Sequence, residues 1–141
     1  MKGLRALIRL HTWELDGKRR ELADLQRVED GFHAELRRLA DDMVVEQEFA
    51  KDSESGVFAY GGFAAGVIYR RKQLAQSIAE IQVRIEAKRE EVAEAYQELK
   101  RYEITLANRE KQERLEQERL DQANLDEISL VQYQRRAEGK A

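Results

Sequence analysis

Chemistry in this chain could come from only three features: two histidines, one glycine-rich run and a dense field of carboxylates. His11 and His33 could each ligate a metal or act as a general base. On one helix they would lie about 33 Å apart, too far to share an ion. No cysteine and no HExxH spacing accompanies them. The run Tyr60–Gly66 (YGGFAAG) matches neither GxGxxG nor GxxxxGK[ST], and no strand pattern precedes it, so it reads as a turn and not as a phosphate cradle. The acidic residues have lysine or arginine neighbours throughout, which describes solvated helix faces carrying local ion pairs. Acid, base and nucleophile never come together in the pattern. The chain is therefore expected not to be an enzyme and to use no cofactor and no metal.

The elements that hold these residues are legible in the apolar spacing. From Leu4, alternate steps of four and three reach Ile8, His11, Leu15, Lys18, Leu22, Leu25, Glu29, Phe32, Leu36, Leu39, Met43 and Glu46. This is the a/d seam of a coiled coil, interrupted at only four polar positions, one of which is His11. A histidine on a seam is a candidate for setting register, as a seam asparagine does. A second seam runs through Leu74, Ile78, Ile81, Ile85, Val92, Ala95, Leu99, Tyr102 and Leu106, with Lys88 as its polar interruption. Between them Asp52, Ser53, Ser55, Gly56, Gly61 and Gly62 gather the turn-forming residues of the chain.

These signals predict an all-α fold, a long two-helix antiparallel coiled-coil hairpin with the second helix overhanging the first. The expected bounds are a single coiled-coil domain over 1–141, with helix one at about 3–51, a turn at about 52–63 and helix two at about 64–137. Leu4 should face the neighbourhood of Gln112, where the second seam fades, and the remaining helix should overhang by roughly 30 Å.

Composition supports this reading. Charged residues make up 38% of the chain, the net charge is -3 and proline is absent. Mean hydropathy is -0.75. So polar a chain has too little apolar surface for a compact core, and nothing in it forbids very long helices. Basic and acidic residues alternate finely, which argues against a nucleic-acid footprint. The longest mostly apolar run, Val57–Tyr69, falls short of the roughly 20 residues of a membrane span, and no secretory signal is visible. A cytoplasmic protein is expected.

Three groups of apolar residues lie off the seams. Near the start are Leu7, Leu10 and Trp13; tryptophan is enriched at interface hot spots. After a charged stretch come Leu120, Leu125, Ile128, Leu130, Val131 and Tyr133, followed by Arg135 and Arg136, a pattern expected to dock in a groove. At the tip, Val44, Val45, Phe49, Val57, Phe58, Tyr60, Phe63, Ile68 and Tyr69 exceed what capping two helices can bury. The surplus is expected to form a contact surface.

The tail sharpens the picture. Glu118–Arg119–Leu120–Asp121–Gln122, then Leu125–Asp126–Glu127 and Arg135–Arg136–Ala137, resemble the LDQ…(L/M)DE…RRA tail of the FliJ family of flagellar type III export proteins. The layout of long helix, loop and longer helix resembles that family over nearly the whole chain. The resemblance implies a central stalk, similar to the γ subunit of rotary ATP synthases, that enters and activates the hexameric export ATPase FliI. It implies further contacts with the export-gate protein FlhA and with export chaperones, at the cytoplasmic face of the inner membrane. The ATPase surface would then comprise Leu7, Leu10, Trp13, Leu120, Leu125, Ile128, Tyr133, Arg135 and Arg136. The gate or chaperone surface would comprise Val45, Phe49, Phe63 and Tyr69. Alternative readings of the residues are a holdase chaperone of prefoldin-tentacle shape, a self-associating scaffold, and the related injectisome stalk.

Overall fold

A computed structural model describes residues 2–139. It contains two helices and, among the described residues, no strand: α1, Lys2–Ala50, and α2, Glu54–Gly139. They pack against each other as an antiparallel hairpin. By internal contacts the chain divides into two compact units, one of Thr12–Tyr96 and one that combines Met1–His11 with Gln97–Ala141.

The three-four spacing governs both units. Every expected seam position from Leu4 to Glu46 and from Leu74 to Leu106 is buried or half-buried. In the unit Thr12–Tyr96 the core consists of Leu15, Ala50, Val67, Leu74, Ile81 and Ile85, with Leu74 only 1% exposed. Full burial of one such side chain is worth about 1.5–3 kcal/mol, so a modest number of seam residues accounts for the pairing. Salt bridges flank the seam: the Arg70 guanidinium grips Glu35 through two bonds of 2.8 and 3.0 Å, and Lys88 reaches Glu21 at 2.7 Å.

In the other unit, Leu99 is the buried residue, and His11 stacks on Tyr102 with ring centroids 4.7 Å apart. Arg5 meets Glu110 at 2.6 Å, which agrees with the expected facing of Leu4 and Gln112.

The turn differs from expectation. The connection is only Lys51, Asp52 and Ser53, not a loop over 52–63, and α2 starts at Glu54 rather than near residue 64. The YGGFAAG run is helical, and its glycines adopt no positive φ. The physical reason lies in Ser53, whose hydroxyl accepts a bond from the Gly56 amide at 2.9 Å while its carbonyl accepts one from Val57 at 3.1 Å. That is an N-cap, and it starts the helix early. Small residues let the chain reverse so sharply: a Cβ on Gly56 would lie 3.0 Å from the Ser53 hydroxyl and 3.3 Å from the Ala50 Cα. With the helix begun at Glu54, the seam extends tipward of Leu74 through Val67, Ala64 and Tyr60.

Two predictions follow from this geometry. Gly62→Ala, in open space on a helix, should raise stability by about 0.4–1 kcal/mol, whereas Gly56→Ala should lower it; thermal unfolding of the two variants distinguishes them. The second concerns acid. The Arg70 guanidinium holds Glu35 below the usual carboxylate range, and Lys88 does the same for Glu91. A carboxylate depressed in the folded state contributes stability above its unfolded pKa and loses it as pH falls through the folded value. Thermal stability should therefore decline as pH drops through and below about 4.3. Glu35→Gln with Glu91→Gln should flatten that decline, and because these groups are only half-buried, salt should weaken it.

Candidate functional site

The most unusual surface in the molecule is the end of α2. Every described residue from Lys111 to Gly139 is exposed, a stretch of about 43 Å at the helical rise. Its polar contacts run within the helix: Arg119 to Glu116 at 2.7 Å, Gln117 to Asp121 at 3.0 Å and Gln122 to Asp126 at 3.0 Å. Such i,i+3 and i,i+4 pairs support a helix without a packing partner. The helix runs unbroken through Asn124, so the chain does not fold back there as a third element.

Apolar side chains lie all along this exposed helix. Leu120, Leu125, Ile128 and Leu130 are between 44% and 58% exposed, and Tyr133 is 71% exposed. They do not form the single stripe expected of a groove-docking helix. Leu125, Ile128 and Val131 share one face, but Leu130 projects about 160° round the helix from Ile128 and Tyr133 about 140°. Apolar residues thus occur on every side of this helix, set among a majority of polar and charged ones. Arg135 and Arg136 follow in the last turns, both exposed, where positive charge suits a helix C-terminus.

The N-terminal candidates divide. Leu10 is 49% exposed, while Leu7 is half-buried and so flanks the seam more than it faces outward. Both belong to the unit that contains the free end of α2. Trp13 belongs to the unit Thr12–Tyr96 and is 68% exposed.

At the tip, Val45, Phe49 and Tyr69 are exposed as expected, but Phe63 is half-buried. Tyr60 is also half-buried and accepts a bond from the Gln47 amide at 2.9 Å. These two rings close the end of the seam. The most exposed tip residue is Phe58, and Val57 and Ile68 are open as well. All three are among the nine tip residues noted from the sequence, and which of the nine stand open is defined only once the helix register past the turn is known.

The groups that could do chemistry are engaged in pairing. His11 lies in the seam with its Nδ1 4.0 Å from Glu98, and His33 lies 4.0 Å from Glu29. Among the described residues no cluster of His, Cys, Asp or Glu could hold a metal ion. No described helix is long and apolar enough to cross a membrane.

One comparison with known proteins identifies a family. The family model described as flagellar FliJ protein matches residues 1–138. No curated protein and no solved structure gives a match.

Lack of packing beyond Glu110 has a measurable consequence. An isolated helix is marginal in water, and unpacked segments open at low free-energy cost. Hydrogen exchange on the free protein should show backbone amides after about residue 113 exchanging far faster than those between Leu74 and Leu106. Comparable protection in the two stretches would mean that the end of α2 has a packing partner.

Proposed function

The chain belongs to the FliJ family and is a non-enzymatic protein of the flagellar export apparatus; from that premise we propose that it acts as a stalk for the hexameric export ATPase. In this reading the free end of α2 enters the ring and promotes its activity. The hairpin tip, through Val45, Phe49, Phe63 and Tyr69, contacts the export gate and export chaperones. Its place of action is the cytoplasmic face of the inner membrane, reached through those partners.

One observation carries the proposal. Residues 111–139 are exposed on every side, and their apolar members are spread round the helix. A groove on a partner would need a one-sided stripe, while a channel walled by six subunits surrounds its occupant. The exposed aliphatic side chains would supply contact area on each side, and Arg135 and Arg136 would reach acidic positions of the ring. Leu10 lies in the same unit and adds to this surface, with Leu7 contributing its exposed part. Trp13 provides a separate contact on the unit Thr12–Tyr96.

The ATPase rate of the purified cognate hexamer tests the proposal directly. Adding the native chain should raise the rate. Leu125→Asp with Ile128→Asp should weaken the stimulation about 30-fold or more in apparent affinity, the size of a hot-spot loss. Both side chains are exposed, so thermal stability should change little. By contrast Leu74→Ala should cost about 2–5 kcal/mol of stability. Trp13→Ala should weaken stimulation independently, while Phe49→Ala should leave it unchanged. An unaltered ATPase rate with the native chain would count decisively against the stalk reading.

A further inference from the structure

The seam contains charged residues where apolar ones would be more stabilising, and their placement is selective. Lys88 sits in the α2 seam with its side chain 22% exposed, its ammonium 2.7 Å from Glu21 of α1 and 2.6 Å from Glu91 of its own helix. Lys18, a seam residue of α1, adds a further attraction to Glu91. Together these four residues form a neutral cluster of two lysines and two glutamates across the hairpin. His11, with its side chain 13% exposed, packs against a different residue type, Tyr102, beside Glu98. In the antiparallel hairpin His11, Lys18 and Lys88 thus each meet a complementary group.

The same seams could pair in another way. Parallel coiled coils bring like seam positions together, residue for residue. If α1 paired with α1 of a second copy in that manner, Lys18 would face Lys18, Glu29 would face Glu29 and His11 would face His11. Two copies of α2 would set Lys88 against Lys88. Each pairing buries the same aliphatic side chains as the hairpin but brings like charges together in a partly desolvated seam, a juxtaposition that costs several-fold to many-fold in affinity. A polar residue at a seam position is known physically to select orientation and oligomer state at some cost in stability.

We propose that His11, Lys18 and Lys88 are selectivity residues, which reserve each helix for the other helix of its own chain by penalising parallel pairing with a second copy. This inference rests on the hairpin and is independent of the stalk reading. It gives the polar interruptions a role that their stability contribution does not explain. It also has a consequence for the free end of α2, because a chain held as a single hairpin presents one unpaired helix end and not a paired one.

The absence of native cysteine makes a clean test possible. Ala95 is a half-buried seam residue of α2. In a parallel pair a cysteine there would face its own copy; in the hairpin, or in a dimer that exchanges helices while keeping them antiparallel, it would not. The full-length chain with Ala95→Cys should be a monomer by light scattering and should form little disulfide-linked dimer on mild oxidation. Adding His11→Leu, Lys18→Leu and Lys88→Leu should raise the disulfide-linked fraction about tenfold or more, equivalent to about 1.4 kcal/mol, and should produce a dimer in solution. Exchanging the whole cluster, with Lys18→Glu, Glu21→Lys, Lys88→Glu and Glu91→Lys, keeps charges complementary in the hairpin and alike in the parallel pair, so it should leave the chain monomeric. The proposal is overturned if the three-leucine variant stays monomeric without added crosslinking. It also fails if the unsubstituted seam already crosslinks, or if the exchanged cluster dimerises as readily as the leucine variant.

Discussion

Burial of one apolar seam against another is the interaction on which the rest of this molecule depends. Neither helix has a second layer to pack against, so the contact along Leu15, Leu74, Ile81, Ile85 and their neighbours supplies nearly all the apolar burial available. Where the seam is present, side chains are half-buried or better and salt bridges form across it. Beyond Glu110 it ends, and every described residue from Lys111 on is exposed. The boundary between the paired and unpaired parts of α2 falls where Arg109 and Glu113 take core positions and where α1, which starts at Lys2, no longer lies opposite. Helix geometry continues across the boundary because local i,i+4 bonds and proline-free sequence sustain it.

The chain reversal shows how little is needed to turn such a pair. A serine cap and two small residues at the crossing make the connection in three residues. Glycine serves here by letting two backbones approach, not by adopting a left-handed conformation. The remaining glycines near the tip lie within α2, where they weaken the helix without creating a bend. Phe58, Ile68 and Tyr69 stand exposed around them, with the Tyr69 hydroxyl accepting a bond from the Gln73 amide at 3.0 Å.

In the function proposed above, the working surface is uncovered apolar area. His11 packs on Tyr102 and Lys88 reaches Glu21 across the hairpin, while His33 lies beside Glu29 of its own helix. What is left over is apolar area that the hairpin has no means to cover, at the free end of α2 and around the tip. An export-apparatus component that works by contact needs exactly such leftover area, held on a stiff support. The apolar residues on all sides of the free helix favour an enclosing partner over a flat one.

Much of this was readable directly from residue types. The three-four spacing identified both helices and the position at which pairing stops, and the turn residues between them predicted the antiparallel pairing. The tail residues from Glu118 to Ala137 resembled the family that the match over residues 1–138 then established. Other features depended on tertiary context. Whether Gly56–Gly66 is a loop or a helix is decided by the Ser53 cap and by the close approach of Ala50, which local propensity does not encode. The half-burial of Leu7 and Phe63 and the full exposure of Phe58 depend on the helix register past the turn. That register follows from where the turn ends. The sequence alone therefore determined which residues prefer to be covered, since that preference is a property of each side chain and its period. Only the tertiary structure decided which of them found cover, since that depends on where a second surface happens to lie.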